Sequence, residues 1–296
     1  MSGSPRILIV GGVAGGASAA ARARRLSESA TIIVFERGPY VSFANCGLPY
    51  HIGGVISDRS RLLLQTPASL EARFELDVRV NTEVVSIDSG SQVVVARNLK
   101  TGKESRERYD ALILSPAVDA IRPPIPGVDH PAIFTLRNMG DMDAILEVTA
   151  KKSAGRALIV GAGYIGLELA EQFRHRGMEV ALVERLPHVL GVADTEMTYP
   201  LHEELRRQEV DLRLGQAVSA FELDGAGLVA TLDDGDRIAC DLAVLCVGVK
   251  PEVRLAREAG LIIGPTGGIQ VDDQMRTSQP NIYAVGDAVE VREFVS

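Results

Sequence analysis

The sequence has few cysteines and no long apolar run. It holds three cysteines in 296 residues, too few for a disulfide scaffold. The longest apolar stretches, such as residues 242–249, have the length of a strand, whereas a membrane-spanning helix needs about 20 apolar residues. The apolar run at residues 6–10 is too short for a signal-peptide core and has no cleavage site behind it. We therefore expect a cytoplasmic protein with no membrane partner.

Positive charge is also scarce. Lys and Arg number 31 against 39 Asp and Glu, so the formal charge is 31 − 39 = −8, with a pI near 5.3. This balance argues against nucleic-acid binding, which requires a surplus of Lys and Arg. A hydrophobic share of 46% and a charged share of 24% are typical of a folded globular chain, and the length favours two domains.

Glycine is plentiful, and its placement indicates a binding unit near the N-terminus. An apolar strand at residues 7–10 leads into the glycine-rich turn 11–16. A helix of small residues is predicted over about 15–26, followed by a second strand at 31–35 and the acidic Glu36. This order is that of a βαβ unit.

The turn reads G-x-V-x-x-G and so matches the dinucleotide fingerprint in part. Gly11 allows the tight turn, and Gly16 allows close packing of helix and strand. Val13 replaces the middle glycine, where backbone approaches a pyrophosphate. Glu36, 20 residues after Gly16, is placed to accept hydrogen bonds from ribose hydroxyls. We interpret the unit as dinucleotide-binding.

A second unit of the same kind begins about 150 residues later. The strand 156–160 precedes Gly161-Ala-Gly-Tyr-Ile-Gly166, a complete G-x-G-x-x-G. A helix is predicted over about 164–176, ending at Gly177, and the next strand, 178–183, ends at Glu184. Two such units predict two dinucleotide sites, each with a helix N-terminus that faces a diphosphate. Two dinucleotides suggest a nicotinamide donor and a flavin acceptor, but the fingerprints do not say which site takes which.

Short strand patterns follow each unit, and we interpret each set as an inserted β-meander. After the first unit they occupy residues 77–80, 83–87, 92–98 and 105–114. After the second unit they occupy residues 211–214, 217–223, 228–232 and 237–247. The predicted fold class is α/β, with two three-layer Rossmann-like domains that each carry a meander insertion.

Thr277-Ser-Gln-Pro-Asn-Ile-Tyr-Ala-Val-Gly-Asp287 forms a last strand that ends in Gly-Asp. With this motif, the layout resembles the flavoprotein disulfide reductases of the pyridine nucleotide-disulfide oxidoreductase fold. The resemblance implies a discontinuous FAD-binding domain at 1–117 and 248–296 and an NAD(P)H-binding domain at 118–247. It also implies that Asp287 hydrogen-bonds the ribityl chain of the flavin. Ala117 departs from the family, which commonly has Gly at that position.

The run Ser42-Phe-Ala-Asn-Cys-Gly-Leu-Pro-Tyr50 holds a single cysteine, Cys46. It resembles the single-cysteine branch of that family, the coenzyme A-disulfide reductases and their persulfide-reductase relatives. Cys46 is then the redox catalyst, next to the flavin. Gly47-Leu-Pro predicts the first turn of a short helix, whose free N–H groups stabilise a thiolate. Cys240 and Cys246, six apart on one predicted strand, are interpreted as small buried hydrophobic residues.

Three alternatives stay open on the sequence. The NADH oxidase and peroxidase branch also has one cysteine, which cycles through sulfenic acid, but it usually carries a His where this chain has Ala14. A carrier reductase serving a small redox protein does not need Cys46. A folded fragment that binds dinucleotides without catalysis is the third alternative.

By resemblance, the site residues fall into three groups. In the FAD domain the cofactor-binding residues are Gly11, Gly12, Val13, Gly15, Gly16, Glu36, Arg37, Ser115 and Asp287. In the NAD(P)H domain they are Gly161, Gly163, Tyr164, Ile165, Gly166, Glu168 and Glu184. The channel for coenzyme A, the expected small-molecule thiol partner, is lined by Ser18, Arg22, Arg25, Ser42 and Asn45.

Glu184 favours NADH because its carboxylate repels a 2′-phosphate, while the adjacent Arg185 leaves NADPH possible. The five histidines lack metal-ligand spacing, so no metal is expected. The sequence ends nine residues after Asp287, where family members continue into a dimerisation domain. We therefore expect that domain to be absent, with low turnover of disulfides. The full-length form is expected to be a homodimer, and a monomer stays open for this chain.

Overall fold

The structure is a computed structural model that describes residues 4–151, 155–224 and 227–292. Within these residues the helices are α1 (Ala14–Leu26), α2 (Leu48–Ile52), α3 (Pro67–Phe74), α4 (Met139–Lys151), α5 (Tyr164–His175), α6 (Thr195–Arg207) and α7 (Arg254–Glu258). Short 3₁₀ turns lie at Asn45–Gly47 and Arg59–Leu62.

The strands of the first half of the chain are β1 (Arg6–Val10), β2 (Thr31–Phe35), β3 (Asp77–Arg79), β4 (Thr82–Asp88), β5 (Val93–Asn98), β6 (Glu104–Arg108), β7 (Ala111–Leu114), β8 (Val118–Ala120) and β9 (Ile133–Phe134). Those of the second half are β10 (Arg156–Val160), β11 (Glu179–Glu184), β12 (Asp211–Leu214), β13 (Val218–Asp224), β14 (Gly227–Leu232), β15 (Arg237–Cys240), β16 (Leu242–Leu245), β17 (Val249–Pro251), β18 (Ile269–Gln270), β19 (Ile282–Ala284) and β20 (Val289–Glu290).

The chain divides into two compact units. Unit 1 comprises Met1–Ala44, Leu63–Asp119 and Lys250–Ser296, and unit 2 comprises Asn45–Leu62 and Ala120–Val249. The predicted boundaries assigned the whole of residues 1–117 to the first domain. The contacts instead group Asn45–Leu62, which carries Cys46, with unit 2.

Unit 1 is built on a parallel five-stranded sheet in the order β19-β7-β1-β2-β3. Alternate residues of its strands face opposite sides, as the pleat of a strand requires. One side packs Leu8, Ile33 and Phe35 against β4, β5 and α7, and the other packs Ile9 and Ile32 against α1 and α3. Unit 1 therefore has three layers.

Unit 2 repeats this plan with the order β12-β11-β10-β16-β9. Leu158, Ala181 and Leu245 pack against the three-stranded sheet β13-β14-β15, and α5 contacts β10 and β11. Each sheet places the strand before its glycine turn, β1 or β10, in the centre, and the order of the strands reverses beside it. At such a switch point the carboxyl ends of parallel strands form a crevice for ligands. The predicted class of two Rossmann-like α/β domains is confirmed.

The predicted meanders need correction at both ends. β3 and β12 extend the parallel sheets and are not the first meander strands. The predicted strands 105–114 and 237–247 are each two strands, of which the second, β7 or β16, returns to the parallel sheet. Strand patterns do not reveal a partner, so the sequence could not assign them to a sheet.

Candidate functional site

The first glycine turn joins β1 to α1 within unit 1. Gly11 has a φ of 94°, and a Cβ there would lie 2.0 Å from the carbonyl oxygen of Ser115. A Cβ on Gly16 would lie 1.8 Å from the carbonyl oxygen of Gly11. Gly15 faces the hydroxyl of Ser115, which its Cβ would approach to 2.6 Å. Gly11 and Gly16 are therefore restricted to glycine by backbone atoms, and Gly15 by the side chain of Ser115.

Glu36, at the end of β2, reaches back to this turn. Its Oε2 accepts the backbone N–H of Gly12 at 2.8 Å, and its Oε1 accepts that of Gly38 at 2.7 Å. The carboxylate thus lies at the crevice beside β1, where Rossmann folds present an acid to a ribose. Arg37, which follows it, is exposed.

The other predicted flavin contacts of unit 1 lie at the ends of neighbouring strands. Ser115 follows β7 directly, and Asp287 follows β19 by three residues. Asp287 is exposed, and Gly286 before it has a φ of 82°. β7 and β19 pair in the sheet, so Ser115 and Asp287 lie at the same sheet edge as the glycine turn. Val13, with its φ of −91°, is the residue that precedes α1.

The second glycine turn joins β10 to α5 within unit 2. Gly161 has a φ of 101°, and its Cβ would lie 2.4 Å from the carbonyl oxygen of Cys246. A Cβ on Gly166 would lie 2.0 Å from the carbonyl oxygen of Gly161. Gly163 differs, because nothing lies within 4 Å of the Cβ that it lacks. The protein fold does not need glycine at position 163, whereas a ligand close to the backbone would.

Glu184 repeats the geometry of Glu36. Its Oε2 accepts the N–H of Ala162 at 2.7 Å, and its Oε1 accepts that of Leu186 at 2.8 Å. In both units, therefore, the carboxylate accepts two backbone N–H groups. One belongs to the second residue of the glycine turn, and the other to the residue two positions after the acid. The sequence predicted an acid at the end of the second strand of each unit, and Glu36 and Glu184 lie there. It did not predict that their carboxylates accept backbone N–H groups.

The residues predicted for nicotinamide lie on α5. Tyr164 is 67% exposed and Ile165 is 39% exposed, at the first turn of the helix. Glu168 lies one turn further on and is half-buried. Large exposed side chains at the start of a helix that follows an open glycine are free to cover a planar ligand.

The exposed face of α1 carries three of the predicted coenzyme A residues, Ser18, Arg22 and Arg25. Arg25 also lies over the ring of Phe74, 5.7 Å from its centroid. Arg24 points elsewhere: it donates to the carbonyls of Phe74, Ser27, Glu28 and Glu75. The face thus presents two cations, while Arg24 is occupied in joining α1 to the end of α3.

Ser42 lies in unit 1 with a φ of 49°, and its N–H donates to the carbonyl of Gly12 at 2.9 Å. This bond ties the segment before Cys46 to the first glycine turn. Asn45 and Cys46 follow within unit 2, and both are exposed.

Cys46 lies in the 3₁₀ turn Asn45–Gly47, which leads directly into α2. Pro49 lies in the first turn of that helix, as predicted. The C-terminal end of α2 is anchored to α5, since Arg176 donates to the carbonyl of Ile52 at 2.8 Å and the Nδ1 of His175 lies 3.0 Å from that of Gly53. The thiol is therefore presented to solvent by a helix that unit 2 holds in place.

Tyr50 was not predicted as a site residue. It lies one helical turn after Cys46, and its hydroxyl donates to Glu168 at 3.5 Å. Glu168 raises the pKa of Tyr50 above its ordinary value, so the phenol keeps its proton. Burial raises the pKa of Glu168, and the charge of Glu171 acts in the same direction. The hydrogen bond from Tyr50 lowers this pKa and so opposes the rise. The spacing of four residues from Cys46 is the signal that could have singled Tyr50 out.

The other two cysteines lie in different surroundings. Burial raises the pKa of both Cys240 and Cys246 to about 12. The expectation that they share a strand is wrong: Cys240 ends β15, and Cys246 follows β16, which belongs to another sheet. As neutral thiols within the fold they are unsuited to nucleophilic chemistry.

Within residues 4–151, 155–224 and 227–292, no group of three or more His, Cys, Asp or Glu side chains is placed to hold a metal ion. None of the helices described is long and apolar enough to cross a membrane.

The fold and the paired turn-and-carboxylate sites define a protein of two dinucleotide-binding Rossmann-like domains. The family model described as pyridine nucleotide-disulphide oxidoreductase matches residues 5–296, so the chain belongs to that family.

Three relatives show how close the likeness is. The coenzyme A disulfide reductase of Staphylococcus aureus (strain JH9) is 36% identical over 283 residues, which cover 96% of this chain and 63% of the relative. The reduced CoADR-RHD of Bacillus anthracis is 47% identical with a TM-score of 0.96, and the match covers 99% of this chain and 53% of the other. A NAD-dependent persulfide reductase from A. fulgidus is 34% identical with a TM-score of 0.92, covering 96% and 53%. The chain thus spans between half and two thirds of the length of these relatives.

Proposed function

We propose that this chain carries the catalytic thiol of an FAD-dependent, NAD(P)H-driven reductase of small disulfides or persulfides, with coenzyme A disulfide or persulfide as the substrate class. The observation that carries the proposal is the exposed thiol of Cys46 in the turn that leads into α2. Cys240 is buried and Cys246 is half-buried, and the pKa of each thiol is raised to about 12, which makes both poor nucleophiles at neutral pH. The names of the relatives support the same substrate class.

We assign FAD to unit 1 and the nicotinamide nucleotide to unit 2. In both units the glycine turn brings a helix N-terminus to the carboxyl edge of the parallel sheet, a position that suits a diphosphate, and Gly163 leaves open space beside the backbone of unit 2. Glu36 and Glu184 lie at these edges and fit ribose hydroxyls. Ser115 and Asp287 would contact the flavin, and Tyr164, Ile165 and Glu168 the nicotinamide. When bound, the flavin supplies a route for two electrons from the nicotinamide to the sulfur of Cys46.

The residues of this chain would carry the thiol chemistry. The Cys46 thiolate attacks one sulfur of the disulfide, forms a mixed disulfide and releases the other half as a thiolate. Two electrons and a proton, supplied by NADH when it is bound, would cleave the mixed disulfide into the Cys46 thiolate and the second thiol. The pKa of Tyr50, on α2, is raised chiefly by Glu168 and least by Cys46, so its hydroxyl keeps its proton at neutral pH.

Coenzyme A would be bound through its phosphates by Arg22 and Arg25, with Ser18, Ser42 and Asn45 as polar contacts. The exposure of both arginines on one face of α1 supports this assignment. NADH is the proposed donor, because the Glu184 carboxylate would repel a 2′-phosphate. Arg185 next to it leaves NADPH as the alternative outcome.

A cytoplasmic location belongs to this proposal, since the three cysteines are unpaired. A homodimer for the full-length form stays a prediction.

The test is stopped-flow reduction by NADH of the FAD-loaded protein, with coenzyme A disulfide, coenzyme A persulfide and oxygen offered in turn. Wild type, Cys46→Ser and the buried-thiol control Cys240→Ser are compared. We expect NADH to bleach the flavin in all three and coenzyme A thiol to be released by wild type and Cys240→Ser alone.

Each of the other outcomes would indicate a different function. Rapid oxygen consumption without release of thiol would favour the oxidase, against the absence of a histidine at Ala14. Turnover that survives Cys46→Ser would favour a carrier reductase. A protein that NADH does not bleach would be a fragment that binds nucleotide without catalysis.

A further inference from the structure

A buried histidine holds the loop that follows Glu184. His202, on α6, is 5% exposed, and its Nε2 accepts the backbone N–H of Val189 at 3.2 Å. Val189 is itself fully buried. This bond therefore joins α6 to the middle of the segment that runs from Glu184 to the start of that helix.

Two further bonds fix the same segment. Leu190 donates its N–H to the carbonyl of Ala162, in the second glycine turn, at 2.8 Å. Gly215 donates to the carbonyl of Leu186 at 3.0 Å. Leu190 has a φ of 50°, a conformation that side chains other than glycine adopt at a cost, so surrounding contacts must hold it. The loop is thus held against the second glycine turn by Leu190, whose backbone is strained. Val189, the residue before it, is bonded to His202.

The bond to Val189 requires a neutral imidazole. Because Nε2 accepts, the proton lies on Nδ1, and a doubly protonated ring would set one N–H against another. Burial lowers the pKa of His202, and the positive charges of Arg206 and His188 act in the same direction. Glu203 opposes them, and the ring of Tyr199 packs edge-on at 6.1 Å. The surroundings therefore favour the form that can accept.

We propose that His202 is a positioning residue for the nucleotide site of unit 2: it holds the loop 185–190 against the second glycine turn and so sets the affinity for the adenosine half of NADH. This inference rests on the proposed binding of NADH to unit 2. His202 touches no part of the reaction itself, so its loss should alter nucleotide affinity and leave the chemistry of Cys46 unchanged.

The experiment compares two variants with a matched control. His202→Leu removes the acceptor but keeps the ring's apolar bulk, and His202→Gln can restore an acceptor near the position of Nε2. The control is His130→Leu, since His130 likewise accepts a backbone N–H, that of Ala132 at 3.2 Å, elsewhere in unit 2. Hydrogen exchange of the Val189 and Leu190 amides is measured without nucleotide, and NADH affinity by fluorescence titration.

We expect His202→Leu to accelerate exchange of both amides and to weaken NADH binding by about five- to tenfold, the effect of an unsatisfied buried N–H. KM for NADH should rise while kcat changes less than about twofold, and His202→Gln should stay near wild type. Unchanged exchange and affinity in His202→Leu would overturn the inference, as would an equal loss of affinity in His130→Leu.

The pH dependence separates positioning from a general structural effect. The ordinary pKa of histidine is about 6.5, and the fold lowers that of His202. Just below that value the unfolded chain binds more protons than the folded protein, so the stability that the neutral ring contributes begins to fall. The ring of the folded protein takes up its proton, and the tether weakens, as the pH falls through its own lower pKa. NADH affinity should fall there in wild type and stay level in His202→Gln. A wild-type protein that binds no NADH would overturn the proposed function, whereas altered amide exchange alone would still show the tether.

Discussion

At the scale of single residues, backbone conformation decides which side chain each position tolerates. Ala117 has a φ of 62°, in the left-handed region that favours glycine. The sequence showed only that this chain departs from a family that commonly has Gly there. The structure supplies the consequence: the alanine is strained where it precedes β8.

Ala117→Gly should therefore stabilise the protein. Relief of the left-handed conformation is worth about 1–2 kcal/mol, and the greater freedom of glycine in the unfolded chain takes back about 0.4–1 kcal/mol. We expect a net gain of about 0.5–1 kcal/mol in the free energy of unfolding, measured by urea denaturation. Ala144→Gly, within α4, is the control and should lose about 1 kcal/mol. Equal losses in the two variants would contradict the argument.

Gly166 and Gly163, both in the second glycine turn, are expected to respond differently to substitution. Gly166→Ala places a Cβ 2.0 Å from a carbonyl oxygen and should destabilise unit 2 severely. Gly163→Ala meets no protein atom within 4 Å, so its free energy of unfolding should change by less than about 0.5 kcal/mol. Its NADH affinity should nevertheless fall, because the pyrophosphate approaches the backbone there. Thermal denaturation and NADH titration check the pair; undiminished affinity in Gly163→Ala would show that no diphosphate lies against this position.

At the scale of elements, the decisive feature is the packing of the short helix α2 on α5. Five residues are too few for a stable isolated helix. The bonds from Arg176 and His175 hold its C-terminal end, and Gly53 lies against the buried side chain of Gln172. The position of Cys46 therefore depends on a helix distant in sequence.

Gly53→Ala tests that dependence. The new Cβ would lie 2.9 Å from Cβ of Gln172 and closer still to its amide, so either α2 or the Gln172 side chain must shift. We expect alkylation of Cys46 by iodoacetamide to change in rate by at least about threefold, with a loss of about 1–3 kcal/mol in stability from overpacking. The control is Gly90→Ala, in an exposed turn with a neighbour no closer than 3.6 Å. If alkylation follows wild type in both variants, α2 does not position the thiol.

At the scale of the whole molecule, two units repeat one design. Each has a central strand that leads into a glycine turn, and a carboxylate that accepts the N–H of the second turn residue, Gly12 or Ala162. Because each unit has its own site, we expect each unit to bind its nucleotide independently of the other.

Glu36→Gln and Glu184→Gln are each other's control. We expect Glu36→Gln to lower the retention of FAD, read from the ratio of flavin to protein absorbance, and to leave NADH affinity within about twofold. Glu184→Gln should do the reverse and also reduce the preference for NADH over NADPH, since it removes the charge that repels a 2′-phosphate. Loss of both nucleotides in either variant would argue against the assignment of one to each unit.

By itself, the sequence determined the class of fold and the position of both glycine turns, because backbone proximity and strand periodicity act on neighbours along the chain. Both acids were visible for the same reason, whereas Cys46 was singled out by the resemblance of residues 42–50 to a family motif. Only the tertiary structure decided which strands belong to the parallel sheets, that Asn45–Leu62 groups with unit 2, and that Tyr50 meets Glu168 and His202 meets Val189. These features depend on contacts between segments that are distant in sequence. Many donors and acceptors could pair there, and only the packing of the folded chain determines which of them meet.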